Sequence, residues 1–288
     1  MNVLTMGVEE EFMLVDHVTR APVNRAPQVI DRASRDLGGQ LQSEFFNAQI
    51  ETGTRATSCR TSLRDELSWM RGAVAAAARN ERCAPVACGT PVLPPEEQLT
   101  VANTERYRRM ARRYAPLITR DDGTTREDGL VCGCHVHIGE LDRERALALA
   151  QHMRPWLPIL QALAGNCSPL VRGLAGTLLP RVAARVPAPR MSCPDLSQAH
   201  RLAAAQGLGG HGLDPVDGRE RPAVTLVDAL IDFARTALDA TDDTEWVRAQ
   251  WDRIRTDGGG AARQRAVLRR SGRFAAVVDS LAAATVRG

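Results

Sequence analysis

Apolar residues recur at every second position near the start of the chain: Leu4, Met6, Val8, Phe12 and Leu14. This period of two predicts a β-strand with one face on a core. Three consecutive carboxylates, Glu9, Glu10 and Glu11, interrupt the apolar run. On a strand, Glu9 and Glu11 point to one side and Glu10 to the other. A lone acidic triplet is also typical of a solvated edge strand, so its meaning depends on the rest of the chain.

The pattern further along the chain predicts an α+β protein. Strands are expected at residues 41–51, 85–89 and 130–138. Helices are expected at residues 26–37, 62–82, 104–114, 142–164, 195–207, 224–239, 242–255 and 261–286. Prolines interrupt every candidate element between residues 166 and 194, which predicts a long irregular connection. Because the strands lie in the first half and helices dominate the second, βαβ alternation is excluded.

Two of these strands carry polar side chains on one face. In the stretch 41–51, alternation places Phe46 with Ile50 on one side and Gln49 with Glu51 on the other. Taken alone, Glu51 also fits a solvent-exposed strand end.

In the stretch 130–138, His135 and His137 share a face with flanking glycines. Two histidines placed in this way are suited to ligating a metal or to binding a phosphate or carboxylate group. The opposite face carries four apolar residues, and we expect its cysteines to be packing residues: Cys132, Cys134, Val136 and Ile138.

Together, the first strand and the stretches 41–51 and 130–138 predict a site for a magnesium–nucleotide complex. Carboxylate oxygens are the ligands that Mg²⁺ prefers, and the bound cation would offset both the repulsion between carboxylates and the phosphate charge. Such a site needs no lysine, and all 37 basic residues of this chain are arginine. A lysine nucleophile, a Schiff base and a phosphate-binding-loop lysine are therefore excluded.

The remaining composition bears on the location of the protein and on its possible partners. The seven cysteines are an odd number without a secretory segment before them, which favours reduced thiols in a cytoplasmic protein. The chain lacks an apolar run long enough to span a bilayer. The net charge of +3 is too small to argue by itself for a nucleic-acid binder.

Several motifs resemble the family of ATP-dependent carboxylate–amine ligases, also called glutamate–cysteine ligase type 2. They are residues 7–12 (GVEEEF), 49–54 (QIETGT), 132–139 (CGCHVHIG), 154–158 (RPWLP) and 260–267 (GAARQRAV). The resemblance implies a single domain with a glutamine-synthetase-like fold, in which an antiparallel sheet curves around the active site and helices pack on its outer face. The strand-bearing catalytic part would be residues 1–165, followed by the irregular connection and a helical part at 195–288.

The resemblance also implies an activity and a set of site residues. ATP would phosphorylate a glutamate carboxylate, and an amine, cysteine at the family level, would attack the acyl phosphate. Mg²⁺ would be held by Glu9, Glu11 and Glu51, and the catalytic residues would be Glu9, Glu11 and His135. The residues implied in binding substrate or nucleotide are Gln49, Thr54, His137, Arg263 and Arg265.

Three hypotheses remain open from the sequence. Residues 170–194 stand where family members carry a longer middle section, so the first hypothesis is a ligase of weak or specialised activity. The second is a non-catalytic relative that binds nucleotide or a protein partner, and a homodimer is left open. The third is a nucleic-acid binder that uses the arginines of the C-terminal part: Arg263, Arg265, Arg269, Arg270 and Arg273.

Overall fold

The computed structural model describes residues 4–118, 129–165, 194–239 and 243–287. The irregular connection expected at residues 166–194 lies almost entirely outside these residues.

An antiparallel sheet forms the framework of the first part of the chain. Its strands are β1 (Thr5–Asp16), β2 (Leu41–Ser43), β3 (Gln49–Gly53), β4 (Cys83–Val86) and β5 (Cys134–Gly139). The long strand β1 is central: β3 pairs along one side of it, with β2 beyond, while β5 and β4 pair in turn along the other side. Its first half contacts β5 and its second half contacts β4, so β1 organises the sheet.

Helices make up most of the remaining described chain. They are α1 (Ala26–Leu37), α2 (Arg60–Asn80), α3 (Glu105–Arg113), α4 (Ala115–Ile118), α5 (Arg143–Met153), α6 (Leu157–Ala164), α7 (Pro194–Gln206), α8 (Ala223–Asp239), α9 (Thr244–Asp257), α10 (Gly260–Ser271) and α11 (Phe274–Arg287). Their positions confirm the helical periodicity of the sequence to within a few residues. Asp142 caps α5, because its carboxylate accepts a hydrogen bond from the backbone N–H of Arg145.

The two faces of β1 are packed differently. Phe12 and Leu14 point to the face that α1 and α2 cover, where Val29 and Met70 complete a buried apolar cluster. On the opposite face, Met13 and Val15 pack against a second cluster that the last helix supplies with two buried valines. The N-terminal half of this opposite face carries Glu9 and Glu11 instead of apolar residues, so the sheet keeps a polar area beside its core.

The chain divides into two compact units. The first is Met1–Leu141 together with Val267–Gly288, and it contains the sheet. The second is Asp142–Ala266, whose core includes Trp156, Leu226 and Trp251. A short antiparallel ribbon in the second unit, β6 (His211–Leu213) and β7 (Glu220–Pro222), was not predicted from the sequence. The single domain implied by the resemblance stays a prediction.

Two expectations about strands are wrong. Residues 41–51 are not one strand: β2 and β3 are separate, and they fold back on each other so that Leu41 lies opposite Thr52. The face predicted for packing on β5 is largely open, because Cys134, Val136 and Ile138 are exposed in the described structure. Of the four residues predicted for this face, Cys132 packs against the core, and it lies before the start of β5.

Candidate active site

The register of the sheet brings the predicted polar residues together. Across β1 and β3, Glu11 lies directly opposite Glu51 and Glu9 lies opposite Gly53. Across β1 and β5, Glu9 lies opposite His135. Residues directly opposite on an antiparallel pair share one face of the sheet, so these carboxylates and the histidine form one surface.

Glu9 contacts both histidines of β5. Its Oε2 atom lies 2.9 Å from Nε2 of His137 and 3.3 Å from Nδ1 of His135. The hydrogen bond with His137 is the main reason that the pKa of Glu9 is held below its usual value. All three side chains are more than a third exposed, so a ligand has access to them.

Glu11 and Glu51 have the opposite electrostatic behaviour. Burial raises the pKa of Glu11, although the backbone N–H of Gly133 donates a hydrogen bond to its Oε2 at 2.9 Å. Burial, with repulsion from neighbouring carboxylates, raises the pKa of Glu51 to about 7. Carboxylates held together in this way disfavour their charged forms unless a cation is shared between them.

A further carboxylate, Glu44, belongs to this surface and was missed by the sequence reasoning. Its charge contributes to the raised pKa values of Glu11 and Glu51. Glu44 Oε2 also lies 3.3 Å from the hydroxyl group of Tyr107, a buried residue of α3. A straight strand from 41 to 51 would have placed Glu44 on the apolar face. The turn between β2 and β3 redirects it, and the one local signal of this turn is that Glu44 and Phe45 break the alternation of the predicted strand.

The donor set fits a divalent cation. Two groups of side chains each bring their ligand atoms within 4.8 Å of one another: Glu9 with His135 and His137, and Glu11 with Glu51 and His135. The second group supplies two carboxylates whose mutual repulsion a cation would relieve. Glu9, Glu11 and Glu51, the three residues that the resemblance implies for Mg²⁺, therefore lie on one surface, with His135 common to both groups.

The residues predicted to bind substrate or nucleotide lie in different parts of the structure. Gln49 is buried, and its Nε2 donates a hydrogen bond to the backbone oxygen of Val131 at 2.6 Å. Thr54 lies at the end of β3, where its hydroxyl group accepts a hydrogen bond from the backbone N–H of Val8. Arg263 and Arg265 lie on α10 in the second compact unit.

Glu10 is separated from this surface by the pleat of the strand. Its carboxylate forms a two-pronged ion pair with Arg71 of α2, at 2.7 Å and 2.5 Å. Both side chains are mostly buried on the helix-covered side of the sheet. Within the acidic triplet, Glu10 therefore has a packing role and the flanking residues form the candidate site.

A cavity of about 440 Å³ adjoins the Glu9 end of the surface. Its walls include Glu9, His137 and Thr54, and three strand residues without side chains lie along it: Gly7, Gly53 and Gly139. A volume of this size is within the range of small-molecule binding sites. The cavity and the carboxylate surface together form a candidate active site.

Comparison with known proteins identifies the family. Residues 5–176 match the sequence profile of "Glutamate-cysteine ligase family 2". A protein of Salinispora arenicola named "Putative glutamate--cysteine ligase 2" is 33% identical, over 98% of this chain and 95% of that protein. The chain belongs to glutamate–cysteine ligase family 2. A family member from Mycobacterium sp., named "Putative glutamate--cysteine ligase 2-2", is 30% identical over 98% of both chains.

A solved structure supports the fold of this family member. The glutamate–cysteine ligase of Francisella tularensis, crystallised in complex with AMP, superposes with a TM-score of 0.58 over 100% of this chain and 90% of that chain. The two sequences are 8% identical, so the likeness concerns the fold alone. It confirms the α+β class and the antiparallel sheet. No helix in the described part of the chain has the length and apolar character needed to cross a membrane.

This family member is shorter than its relatives. The alignment with the Salinispora arenicola protein extends over 370 positions, whereas this chain has 288 residues. The relative therefore carries many residues that have no counterpart here. The three strands of the candidate site are nevertheless all present and paired.

Proposed function

We propose that this protein is an ATP-dependent carboxylate–amine ligase that joins the carboxylate of glutamate to an amine, with cysteine as the family-level acceptor. One observation carries the proposal: Glu9, Glu11, Glu51 and His135 occupy one face of the sheet with ligand atoms within 4.8 Å of their group neighbours. Metal-dependent phosphoryl transfer requires such a cluster of oxygen ligands, and this one needs no lysine.

The proposed reaction has two steps. The γ-phosphoryl group of ATP passes to the glutamate carboxylate, which gives ADP and an acyl phosphate. The ammonium group of the acceptor gives a proton to water, and the neutral amine nitrogen then attacks the acyl carbon. The carbon–oxygen bond to phosphate breaks, and phosphate leaves with the bonding electrons. The nitrogen then loses one further proton to water, so an amide and inorganic phosphate are formed.

Each site residue has a proposed part in positioning this chemistry. Glu11 and Glu51, with Glu9, would hold Mg²⁺, which when bound supplies positive charge against the phosphate oxygens. The backbone N–H of Gly133 fixes the orientation of the Glu11 carboxylate. Glu9 also fixes the two imidazole rings of β5, because it contacts both. Pre-set ligands of this kind lower the barrier by orientation rather than by covalent chemistry.

Isothermal titration with ATP and MgCl₂ tests the binding half of the proposal. We expect the wild-type protein to bind and Glu11→Gln to bind at least about tenfold more weakly, equivalent to about 1.4 kcal/mol. Glu10→Gln is the matched control, because the Glu10 carboxylate lies on the opposite face of the sheet, where it pairs with Arg71. Equal weakening by both substitutions, or no binding by folded wild-type protein, would contradict the proposal.

Phosphate release tests the chemical half. The wild-type protein is supplied with ATP, Mg²⁺, glutamate and each common amino acid in turn. Release that requires both glutamate and an amino acid, and that Glu11→Gln abolishes, is the expected result. Release from ATP without dependence on either substrate would indicate a different hydrolytic activity.

A second function, binding without catalysis, is supported by the alignment. The relatives carry many residues that are absent here, and a ligase that has lost part of its substrate-binding wall would still hold nucleotide on the remaining strands. This alternative predicts that Mg²⁺ and ATP bind and that Glu11→Gln weakens the binding. It also predicts that no glutamate- or amine-dependent phosphate release occurs.

A further inference from the structure

Helix α3 is an arginine-rich element beside the candidate site. Five of its nine residues are arginine and one is acidic. An arginine side chain keeps its proton throughout the pH range in which proteins are normally folded, so this charge does not depend on its neighbours. In the described structure one ion pair involves these arginines, between Arg109 and Glu105 at 3.9 Å. The five residues, all of them exposed, are Arg106, Arg108, Arg109, Arg112 and Arg113.

The two sides of α3 differ in what they contact. Tyr107 is buried, and Met110 and Ala111, three and four residues later, are half-buried. Residues three and four apart share one face of a helix, so these three form a single apolar side. That side is used for packing within the protein. The arginines form a separate basic face towards solvent, where an anion has access to them.

Tyr107 fixes α3 at the rim of the carboxylate surface. Its hydroxyl group lies 3.3 Å from Oε2 of Glu44 and 3.3 Å from the backbone oxygen of Ser43. Its ring packs edge-on against the ring of Phe45, with 5.6 Å between the ring centres. The guanidinium carbon of Arg106 lies 5.4 Å from the centre of the Tyr107 ring. One aromatic side chain therefore separates the first arginine of α3 from the Glu44 carboxylate.

The charge of α3 reaches the space in front of the site. The helix and the sheet belong to the same compact unit. The nine residues of α3 extend over about 13 Å, beginning at the end that Tyr107 anchors. Electrostatic attraction in water extends about 10 Å at an ionic strength of 0.1 M and about 30 Å at 0.01 M. At low ionic strength the field of all five arginines therefore covers the approach to the carboxylate surface.

Such a field acts on the rate at which an anion arrives. ATP keeps a net negative charge when Mg²⁺ is bound to it. A patch of opposite charge at the rim of a site raises the association rate constant, by about tenfold or more, and this effect falls steeply with ionic strength. The dissociation rate constant depends instead on contacts in the bound state. Tyr107 lies between α3 and Glu44, so the arginines are set back from the cluster that would make those contacts.

We propose that α3 guides ATP to the candidate site: its basic face raises the rate at which the nucleotide arrives and does not hold the nucleotide afterwards. This inference rests on the proposed function, which supplies the anionic ligand. It adds a kinetic role for a helix outside the sheet. The property that α3 recognises is net negative charge, rather than the adenine ring or the ribose.

Removal of three charges from α3 is the direct test. The variant carries Arg108→Gln, Arg109→Gln and Arg112→Gln, and it keeps the two arginines that lie over the rings of Tyr107 and Tyr114. Glutamine has nearly the helix propensity of arginine, so the helix should be retained. Circular dichroism and thermal melting check that the variant is folded.

The matched control removes three exposed arginines from the opposite side of the sheet. It carries Arg35→Gln on α1 with Arg64→Gln and Arg79→Gln on α2. These two helices cover the face of β1 that does not carry the candidate site. Both triple variants lower the formal net charge of +3 to zero, so a difference between them reports the position of the charge.

Stopped-flow fluorescence with ATP that carries a methylanthraniloyl group on the ribose measures both rate constants in MgCl₂. At about 20 mM NaCl, we expect the α3 variant to associate at least about fivefold more slowly than the wild-type protein, with the dissociation rate constant within about twofold. At about 500 mM NaCl the difference should disappear, because the charges are screened. The control variant should match the wild-type protein.

Three results would overturn the inference. An unchanged association rate constant at low salt would show that the arginines only solvate a helix face. A raised dissociation rate constant, with unchanged association, would show that they hold the bound nucleotide. Equal slowing in both variants would assign the effect to net charge. Failure of the proposed function is distinguishable from all three, because the folded wild-type protein would then not bind the labelled ATP at either salt concentration.

Discussion

At the scale of single residues, the candidate site is an arrangement of charges that is unfavourable in the absence of a ligand. Glu11, Glu44 and Glu51 face one another, and the pKa of Glu51 is raised to about 7. A cation that separates these carboxylates would remove the repulsion. Binding energy at this site therefore comes in part from relief of a strain that folding has already introduced.

Glu51→Gln should stabilise the metal-free protein at high pH. The folded pKa of Glu51, about 7, is above its usual value of 4.5, so the folded state binds the proton more tightly than the unfolded state. Stability contributed by this residue is present below pH 4.5 and is lost as the pH rises towards 7. After discounting for solvent exposure, we expect a gain of about 1 kcal/mol, or a few degrees in Tm.

Thermal melts in EDTA at pH 5 and pH 8 measure this effect. The variant should exceed the wild-type Tm at pH 8 and approach it at pH 5, while its affinity for Mg²⁺ with ATP falls. Glu66→Gln, on α2 and outside the cluster, serves as the comparison. A variant that is less stable than the wild-type protein at pH 8 would show that the Glu51 carboxylate is not strained.

Arg71→Met should lower the stability of the protein with little change in its affinity for ATP. Arg71 and Glu10 form a mostly buried ion pair, and removal of the guanidinium group leaves the Glu10 carboxylate without its positively charged partner. We expect a loss of about 1–3 kcal/mol in the free energy of unfolding, from urea titration, with little change in ATP affinity. A loss of ATP affinity in a folded variant would instead connect the helix-covered face of the sheet to the site.

At the scale of elements, the sequence predicts what depends on local periodicity. Helix α1 was predicted with both ends correct, and the side on which Glu9, Glu11, His135 and His137 lie follows from alternation alone. The hairpin of β2 and β3 was not predicted, because Phe46, Ala48 and Ile50 keep the apolar alternation of a strand through the second half of the turn. The position of Glu44 in the site depends on that turn, so it was not predicted either.

The open side of β5 was missed for a different reason. Alternation shows that Cys134, Val136 and Ile138 share a face, and an apolar face normally lies on a core. In the described structure the helices that cover this side of the sheet pack against β1, β2 and β4, and the β5 end is left exposed. Which part of a sheet a helix covers is a long-range property, and a single sequence without known contacts does not contain it.

The buried side chain of Gln49 joins two elements of the site. Its replacement should lower both the stability of the protein and its affinity for ATP. Gln49 of β3 donates to the backbone oxygen of Val131, two residues before the Gly133 N–H that holds Glu11. Gln49→Leu leaves that oxygen without its partner, so we expect a loss of about 1–3 kcal/mol in stability. Binding of ATP with Mg²⁺ should weaken several-fold, because Glu11 loses its fixed orientation.

Urea titration and isothermal titration of the same preparation measure the two effects of Gln49→Leu. Gln49→Glu is a useful second variant, since it keeps the shape of the side chain and removes the donor at neutral pH. Unchanged ATP affinity in both variants, beside the expected loss of stability, would limit Gln49 to a packing role.

At the scale of the whole molecule, one apolar strand face is exposed in a chain that is shorter than its relatives. The Salinispora arenicola relative aligns over 370 positions and this chain has 288 residues, yet the strands that carry the site are kept. Among the described residues β5 pairs only with β1, so its other edge has free backbone groups. Val136 is 63% exposed and Ile138 is 40% exposed beside that edge. An uncapped edge with apolar neighbours favours association between copies.

Val136→Lys should therefore reduce self-association of the protein. Sedimentation velocity over a hundredfold range of concentration should show concentration-dependent association of the wild-type protein, which the charged residue shifts towards the monomer. Val18→Lys is the matched control, because Val18 is 70% exposed in the turn after β1 and lies away from the open edge. ATP affinity should be unchanged in both, since the Val136 side chain points away from the face of Glu9 and His137. A wild-type protein that stays monomeric over the whole concentration range would contradict this prediction.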